Sequence, residues 1–140
     1  MEHKFITLHL VWCKLHQQWN TSPITKLTSL GLLGNIPPQI SNLTSLKTLD
    51  LYNNSFFGQI PSEFARLTSL QRIILASNSI SGTIPVSLSY CLMLEQMSFE
   101  ANKLTGLLPG ELGQLSPSLA ILHNYICSIW ETTSYLEEFL

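Results

Sequence analysis

Residues 43–114 consist of three copies of one pattern: LTSLKTLDLYNNSFFGQIPSEFAR (43–66), LTSLQRIILASNSISGTIPVSLSY (67–90) and CLMLEQMSFEANKLTGLLPGELGQ (91–114). Apolar residues occupy positions 1, 4, 7, 9, 14, 18 and 22 of each copy, with asparagine at 12, glycine at 16 and proline at 19. An imperfect first copy covers 19–42 and has Leu30 where asparagine belongs. A period of this length indicates a repeat architecture, in which stacked copies bury a shared core.

Alternating apolar residues in each copy predict one short β-strand per repeat. The alternating pairs are Leu49 and Leu51, Ile73 and Leu75, and Met97 and Phe99. Their spacing of two residues is that of a strand with one buried face. Because parallel strands require a long crossover connection, the chain must return along the opposite side of the coil before the next strand begins. The sequence therefore predicts a solenoid with parallel strands on one face.

Polar and special residues follow each predicted strand at fixed positions. Asn54, Asn78 and Asn102 lie at the bend, where a side-chain amide can bond backbone groups that the turn leaves unpaired. We expect these three asparagines to form a structural ladder. The glycine at position 16 allows a backbone conformation that other residues avoid, and the proline at position 19 favours an extended return path.

These motifs resemble plant-type leucine-rich repeats, whose pattern is LxxLxxLxLxxNxLxGxIPxxLxx, and especially the ectodomains of plant leucine-rich-repeat receptor-like kinases. The segments GQIP (58–61) and GTIP (82–85) match the plant-type signature, and GLLP (106–109) departs conservatively from it. The resemblance implies an α/β-type leucine-rich repeat solenoid. It implies short parallel strands on the concave face, a second run of strands near the G-x-I-P segments, and turns with short helical or 3-10 segments on the return path.

The ends of the chain depart from the family pattern. We expect a signal peptide or degenerate N-terminal cap over 1–18, an imperfect first repeat over 19–42, three repeats over 43–114, and a degenerate C-terminal repeat and tail over 115–140. Phe5 to Cys13 is apolar enough for a signal peptide, although Glu2 and His9 oppose this and no A-x-A site follows. The alternative is an apolar segment that covers the first coil. A fragment of an ectodomain or a truncated gene product would account for both ends.

Composition and missing motifs exclude several function classes. The chain is 45% hydrophobic and 11% charged with a net charge of -2, so no basic surface exists for nucleic acid. Its longest apolar runs are shorter than the roughly 20 residues of a membrane span. A kinase glycine-rich loop, H-R-D and D-F-G are absent from the sequence, so we expect no catalytic site and no cofactor. His3, His9, Cys13 and His16 fit no usual zinc spacing, which predicts no metal site.

Cysteines and sequons bear on the compartment. Cys91 occupies a core leucine position and is expected to be a buried, reduced thiol. Cys13 and Cys127 flank opposite ends of the coil, so we expect no disulfide. Candidate N-glycosylation sites, each followed by the required serine or threonine, are Asn20, Asn42 and Asn53. Because Asn53 is expected to point outward beside Asn54, a glycan there would obstruct the concave edge.

Outward strand positions alternate with the core residues and define a candidate ligand-binding patch. Its members are Thr48, Asp50, Tyr52, Arg72, Ile74, Ala76, Gln96, Ser98 and Glu100. Such residues also suit a merely solvated strand face, but an exposed Ile74 among polar neighbours favours contact with a partner.

By resemblance, the function is noncatalytic recognition of a protein or peptide, with a co-receptor ectodomain as one possible partner, at an extracellular or cell-surface location. Two alternatives stay open. One is part of a serine/threonine receptor kinase whose catalytic domain lies elsewhere, and the other is a secreted inhibitor of cell-wall-degrading enzymes.

Overall fold

The computed structural model describes residues 23–115, which form four stacked turns. We number these turns one (23–42), two (43–66), three (67–90) and four (91–115). Each turn contains two strands and one 3-10 helix, in the order β1 Ile24–Lys26, β2 Leu33–Asn35, η1 Pro38–Asn42, β3 Thr48–Asp50, β4 Ser55–Gly58, η2 Ser62–Arg66, β5 Arg72–Ile74, β6 Ser79–Gly82, η3 Val86–Tyr90, β7 Gln96–Ser98, β8 Lys103–Leu104 and η4 Gly110–Gln114. The predicted leucine-rich repeat solenoid is confirmed.

The first strands of the four turns form one parallel sheet in the order β1-β3-β5-β7. Its register follows the sequence period, since Thr48 pairs with Ile24 on one side and with Arg72 on the other. Leu49 likewise pairs with Ile73. Residues at equivalent positions of successive copies therefore lie in columns that cross the sheet, about 4.8 Å apart.

The second strands form another parallel sheet, in the order β2-β4-β6-β8, beside the G-x-I-P segments. Each G-x-I-P segment then leads into a 3-10 helix through an extended proline. Pro61, for example, has φ of -62° and ψ of 131° immediately before η2. A proline at this point fixes φ and donates no hydrogen bond, so the extended return path ends where the helix begins.

The core lies between the two sheets and the 3-10 helices. Columns of aliphatic residues fill it, and Leu49, Leu51, Ile73 and Leu75 are fully buried. Glycine is favoured where the second strands approach one another. Gly58 has φ of +79°, and a Cβ atom there would lie 2.9 Å from Asn35 Nδ2. The positive φ therefore favours glycine at this position, and a side chain there would also have to displace the exposed amide of Asn35.

Turn one fits the solenoid despite its imperfect sequence. Its strand β1 pairs with β3 along three residues. Thr25 occupies the core column of Leu49 and is 4% exposed, and its hydroxyl has no hydrogen-bond partner. The backbone register therefore holds even where one core position is polar. Within residues 23–115, no helix has the length and apolar character needed to cross a bilayer.

Candidate functional site

The bend asparagines tie each turn to the one before it. Asn78 Nδ2 donates to the carbonyl oxygens of Leu75 (2.9 Å) in its own turn and Leu51 (3.0 Å) in the preceding turn. Its Oδ1 accepts the backbone N–H of Phe56 at 3.0 Å. One amide thus satisfies donors and acceptors of two consecutive turns, which fixes where each concave strand ends.

The same bonds recur above and below Asn78. Asn102 Nδ2 donates to Leu75 O (2.9 Å), and its Oδ1 accepts from Ile80 N (2.9 Å). Asn54 Nδ2 donates to Leu27 O at 2.6 Å, and its Oδ1 accepts the N–H groups of Leu30 and Leu32. Turn one has Leu30 at the position equivalent to these asparagines. Its backbone groups still have hydrogen-bond partners, because the Asn54 side chain of turn two bonds to them.

Three columns of side chains face outward from the concave sheet, and they contain the nine predicted patch residues. Tyr52 and Arg72 are exposed, with Tyr52 at 43%. Residues of intermediate exposure are Thr48, Asp50, Ile74, Gln96 and Glu100. The nine residues therefore lie on one face, but they are unequally accessible.

Two members of the predicted patch are buried. Ala76 is fully buried and Ser98 is 5% exposed, so neither offers the free surface that strand alternation suggests. Ser98 Oγ donates to Glu100 Oε2 at 2.7 Å, which places the carboxylate over the serine. Ala76 lies in the same column as the longer Tyr52 and Glu100. Ala76 and Ser98 therefore form the floor of the face. Ile74, which was expected to be exposed, is half-buried.

The concave face also includes turn one, which strand alternation in the later copies alone does not reveal. Ile24 and Lys26 on β1 are register partners of Thr48 and Asp50. Both are exposed, as is Thr28 at the position equivalent to Tyr52. A signal was present in the sequence, because the 24-residue offset from the second copy leads to these three residues.

Two local hydrogen bonds orient the acidic groups of this face. Asp50 Oδ1 accepts the backbone N–H of Tyr52 at 3.1 Å, which holds the aspartate near the start of the bend. The bond between Ser98 and Glu100 holds the second carboxylate over β7. Both side chains remain partly accessible. The face thus presents oriented carboxylates, an exposed aromatic ring and exposed basic groups.

Cys91 is a free, fully buried cysteine, as its core column predicts. Its thiol donates to Phe64 O at 3.2 Å in the preceding turn. Burial raises the pKa of the Cys91 thiol to about 11, because the thiolate would lose its hydration. The thiol is therefore a packing group at neutral pH.

Two of the three candidate glycosylation sites lie within the described residues. Asn42 is exposed at the end of η1, and Thr44 of its sequon is also exposed. Asn53 is exposed with φ of +54°, and its Nδ2 donates to Ser29 Oγ at 2.9 Å. Whether either asparagine carries a glycan stays a prediction. Asn20, Cys13, Cys127 and the three N-terminal histidines lie outside the described residues.

Comparison with known repeats identifies this architecture. The family model Leucine Rich Repeat matches residues 45–67 and 69–91, which contain β3 to η2 and β5 to η3. The chain is a leucine-rich repeat solenoid. No curated protein matches it by sequence.

Solved structures place this solenoid beside plant receptor ectodomains. The complex of BIR3 with SERK2 from Arabidopsis thaliana matches at 36% identity and a TM-score of 0.61, over 66% of this chain and 50% of that one. The ectodomain of the Arabidopsis thaliana receptor kinase GASSHO1/SCHENGEN3, in complex with CASPARIAN STRIP INTEGRITY FACTOR 2, matches at 33% identity and a TM-score of 0.68, over 72% and 12%. The plant peptide hormone receptor RGFR1, in complex with RGF2, matches at 33% identity and a TM-score of 0.64. This match covers 65% of this chain and 15% of that one. The chain spans half or less of the length of each of these three proteins.

Proposed function

We propose that this solenoid is a noncatalytic recognition module that binds a peptide or an extended protein segment on the concave sheet. The observation that carries the proposal is the outward face of β1-β3-β5-β7, on which side chains of mixed chemistry stand in regular columns. A row of equivalent side chains on adjacent strands can contact an extended ligand at several points. Tyrosine and arginine are enriched among residues that dominate binding energy, and Tyr52 and Arg72 are both exposed there.

The structural relatives support the same proposal. The peptide hormone receptor RGFR1 was solved in complex with RGF2, GASSHO1/SCHENGEN3 in complex with CASPARIAN STRIP INTEGRITY FACTOR 2, and BIR3 in complex with SERK2. By this likeness we place the module in the extracellular space or at the cell surface, with a peptide or a co-receptor ectodomain as its partner.

A peptide-display selection against the immobilised full chain tests the proposal. Selected peptides are titrated against wild type and against Tyr52→Ala and Arg72→Ala, which shorten two exposed concave side chains. Arg66→Ala is the matched control, because Arg66 is also exposed but lies on η2 in the return path. We expect Kd to rise about tenfold or more for the concave variants and to change less than about twofold for the control.

If the selected peptides bind Tyr52→Ala and Arg72→Ala as tightly as wild type, the concave face is not the binding surface. Circular dichroism of each variant separates a loss of binding from a loss of fold.

A further inference from the structure

An apolar loop lies on the flank of the solenoid, where the chain passes from η3 to β7. The loop is closed by a hydrogen bond from the Leu94 N–H to Cys91 O at 2.9 Å. Cys91 and Leu94 are fully buried, whereas the two residues between them, Leu92 and Met93, are exposed. These two large apolar side chains therefore point away from the core at the tip of a tight turn.

The equivalent loops of turns two and three are closed in the same way. Their hydrogen bonds run from the Leu46 N–H to Leu43 O at 2.9 Å and from the Leu70 N–H to Leu67 O at 3.0 Å. The central residues of both loops are serine or threonine, which suit a tight turn. These residues are Thr44, Ser45, Thr68 and Ser69. A polar pair is sufficient for the loop, so folding does not explain the apolar pair of turn four.

Tyr90, the last residue of η3, extends the exposed apolar surface. The exposed fractions are 66% for Tyr90, 73% for Leu92 and 54% for Met93, and Leu92 is the most exposed large apolar side chain of residues 23–115. We call these three residues the flank patch. Single exposed apolar side chains are common, but a contiguous group of roughly 400 Å² marks an interaction surface.

Opposite charges lie at the two ends of the flank patch. Arg66 is the last residue of η2 and is exposed one solenoid turn before Tyr90, which is the last residue of η3. Glu95 is exposed two residues after Met93, immediately before β7. Neither charged side chain forms a hydrogen bond or an ion pair with another residue of 23–115. The patch therefore has a cation beside its helical end and a carboxylate at its strand end.

We infer that the flank patch binds a second copy of this chain, related to the first by a two-fold axis parallel to the solenoid axis. This rotation exchanges the two ends of the patch, so that Glu95 of each copy lies over Tyr90 of the other and about 4.8 Å, one strand spacing, from its Arg66. A two-fold axis along the patch would instead bring the two Glu95 carboxylates together, which like-charge repulsion opposes. The inference is independent of the proposed function, because the patch lies outside the concave face.

The size of the patch predicts a weak dimer. Two flank patches and their polar rims bury roughly 1,000 Å² in total, which is at the lower end of specific interfaces. Because association itself is costly, an interface of this size gives only modest affinity. We expect sedimentation equilibrium of the full chain to show a monomer–dimer equilibrium with a Kd of about 10 to 100 µM.

The double substitution Leu92→Thr with Met93→Ser tests the patch. It gives the loop the pair that turns two and three already carry, so the variant should fold, and we expect the Kd of the dimer to rise about tenfold or more. Leu107→Thr is the matched control, because Leu107 is 64% exposed after β8 and its equivalent in turn three is Thr83. The Kd of this control should change less than about twofold. An equal Kd for wild type and the double variant overturns the inference.

Charge reversal tests the two-fold arrangement. Arg66→Glu and Glu95→Arg each place like charges opposite one another at both ends of the dimer, so each variant alone should dimerise about fivefold more weakly at low salt. An equimolar mixture of the two variants again joins opposite charges and should associate as tightly as wild type, measured with one variant fluorescently labelled. If the mixture associates no better than either variant alone, the inferred arrangement is wrong.

Oxidation by hydrogen peroxide reports on the patch directly. The oxidation of Met93 should slow as the concentration of wild type rises through the Kd, but not in Arg66→Glu over the same range. Met97 is 3% exposed and serves as the buried reference in the same chain. If Met93 is protected even where the chain is monomeric, other residues of the same chain cover the patch, and the inference is overturned.

Discussion

Replacing Asn78 should destabilise the solenoid much more than replacing an exposed polar residue of a neighbouring bend. The side chain makes three hydrogen bonds of 2.9 to 3.0 Å, to Leu51 O, Leu75 O and Phe56 N, and these join turns two and three. At about 1 to 1.5 kcal/mol for each net bond, Asn78→Ala should lower the free energy of unfolding by about 3 to 5 kcal/mol. That is a large part of the roughly 5 to 15 kcal/mol that stabilises an ordinary domain.

The measurement is urea unfolding of the full chain, followed by circular dichroism and analysed by linear extrapolation. Asn78→Asp separates the roles of the two amide atoms, because it keeps an acceptor for Phe56 N and loses both donors. We expect it to lower the free energy of unfolding about as much as Asn78→Ala does. Asn53→Ser is the matched control. It removes one exposed bond, and serine already adopts positive φ at Ser77. The control should cost less than about 1 kcal/mol. If Asn78→Ala and Asn53→Ser differ by less than about 1 kcal/mol, the ladder is not a major source of stability.

Three further substitutions test local features. Thr25→Val removes a buried hydroxyl without a partner and should raise the free energy of unfolding by about 1 kcal/mol; a loss in the same urea assay would contradict this. Burial raises the pKa of Cys91 from its ordinary 9.0 to about 11, so the unfolded chain loses this proton at a lower pH than the folded chain. The contribution of the thiol to the free energy of unfolding is therefore fully present below pH 9 and declines by about 2 to 3 kcal/mol as pH rises toward 11. Cys91→Ala should lack this decline, and parallel pH curves for both proteins would argue against a thiol origin. Ala101 has φ of +54°, so Ala101→Gly should stabilise turn four by about 0.5 to 1 kcal/mol, measured as a shift in the urea midpoint; an unchanged or lower midpoint would show that no strain is relieved.

The backbone was largely predictable from the sequence because it repeats. Leu49, Ile73 and Met97 mark one buried column, and a fixed offset between equivalent residues determines the register of parallel strands. The plant-type pattern added the second sheet and the 3-10 helices through its G-x-I-P segments.

The accessibility of the concave face was less predictable. Alternation gives the direction of Ala76 and Ser98 but does not tell how far longer neighbours cover them. The bond from Ser98 to Glu100 joins two side chains that both face outward, and no periodicity encodes it. The burial of Thr25 was also hard to predict from the sequence. Its polarity argues against a core position, yet the register of β1 with β3 places it there.

The bend asparagines give the solenoid a direction of assembly. Asn54, Asn78 and Asn102 each donate to a carbonyl of the turn that precedes them in the chain, so every turn is completed by its successor. During synthesis, a newly made turn would stay only partly bonded until the next emerged from the ribosome.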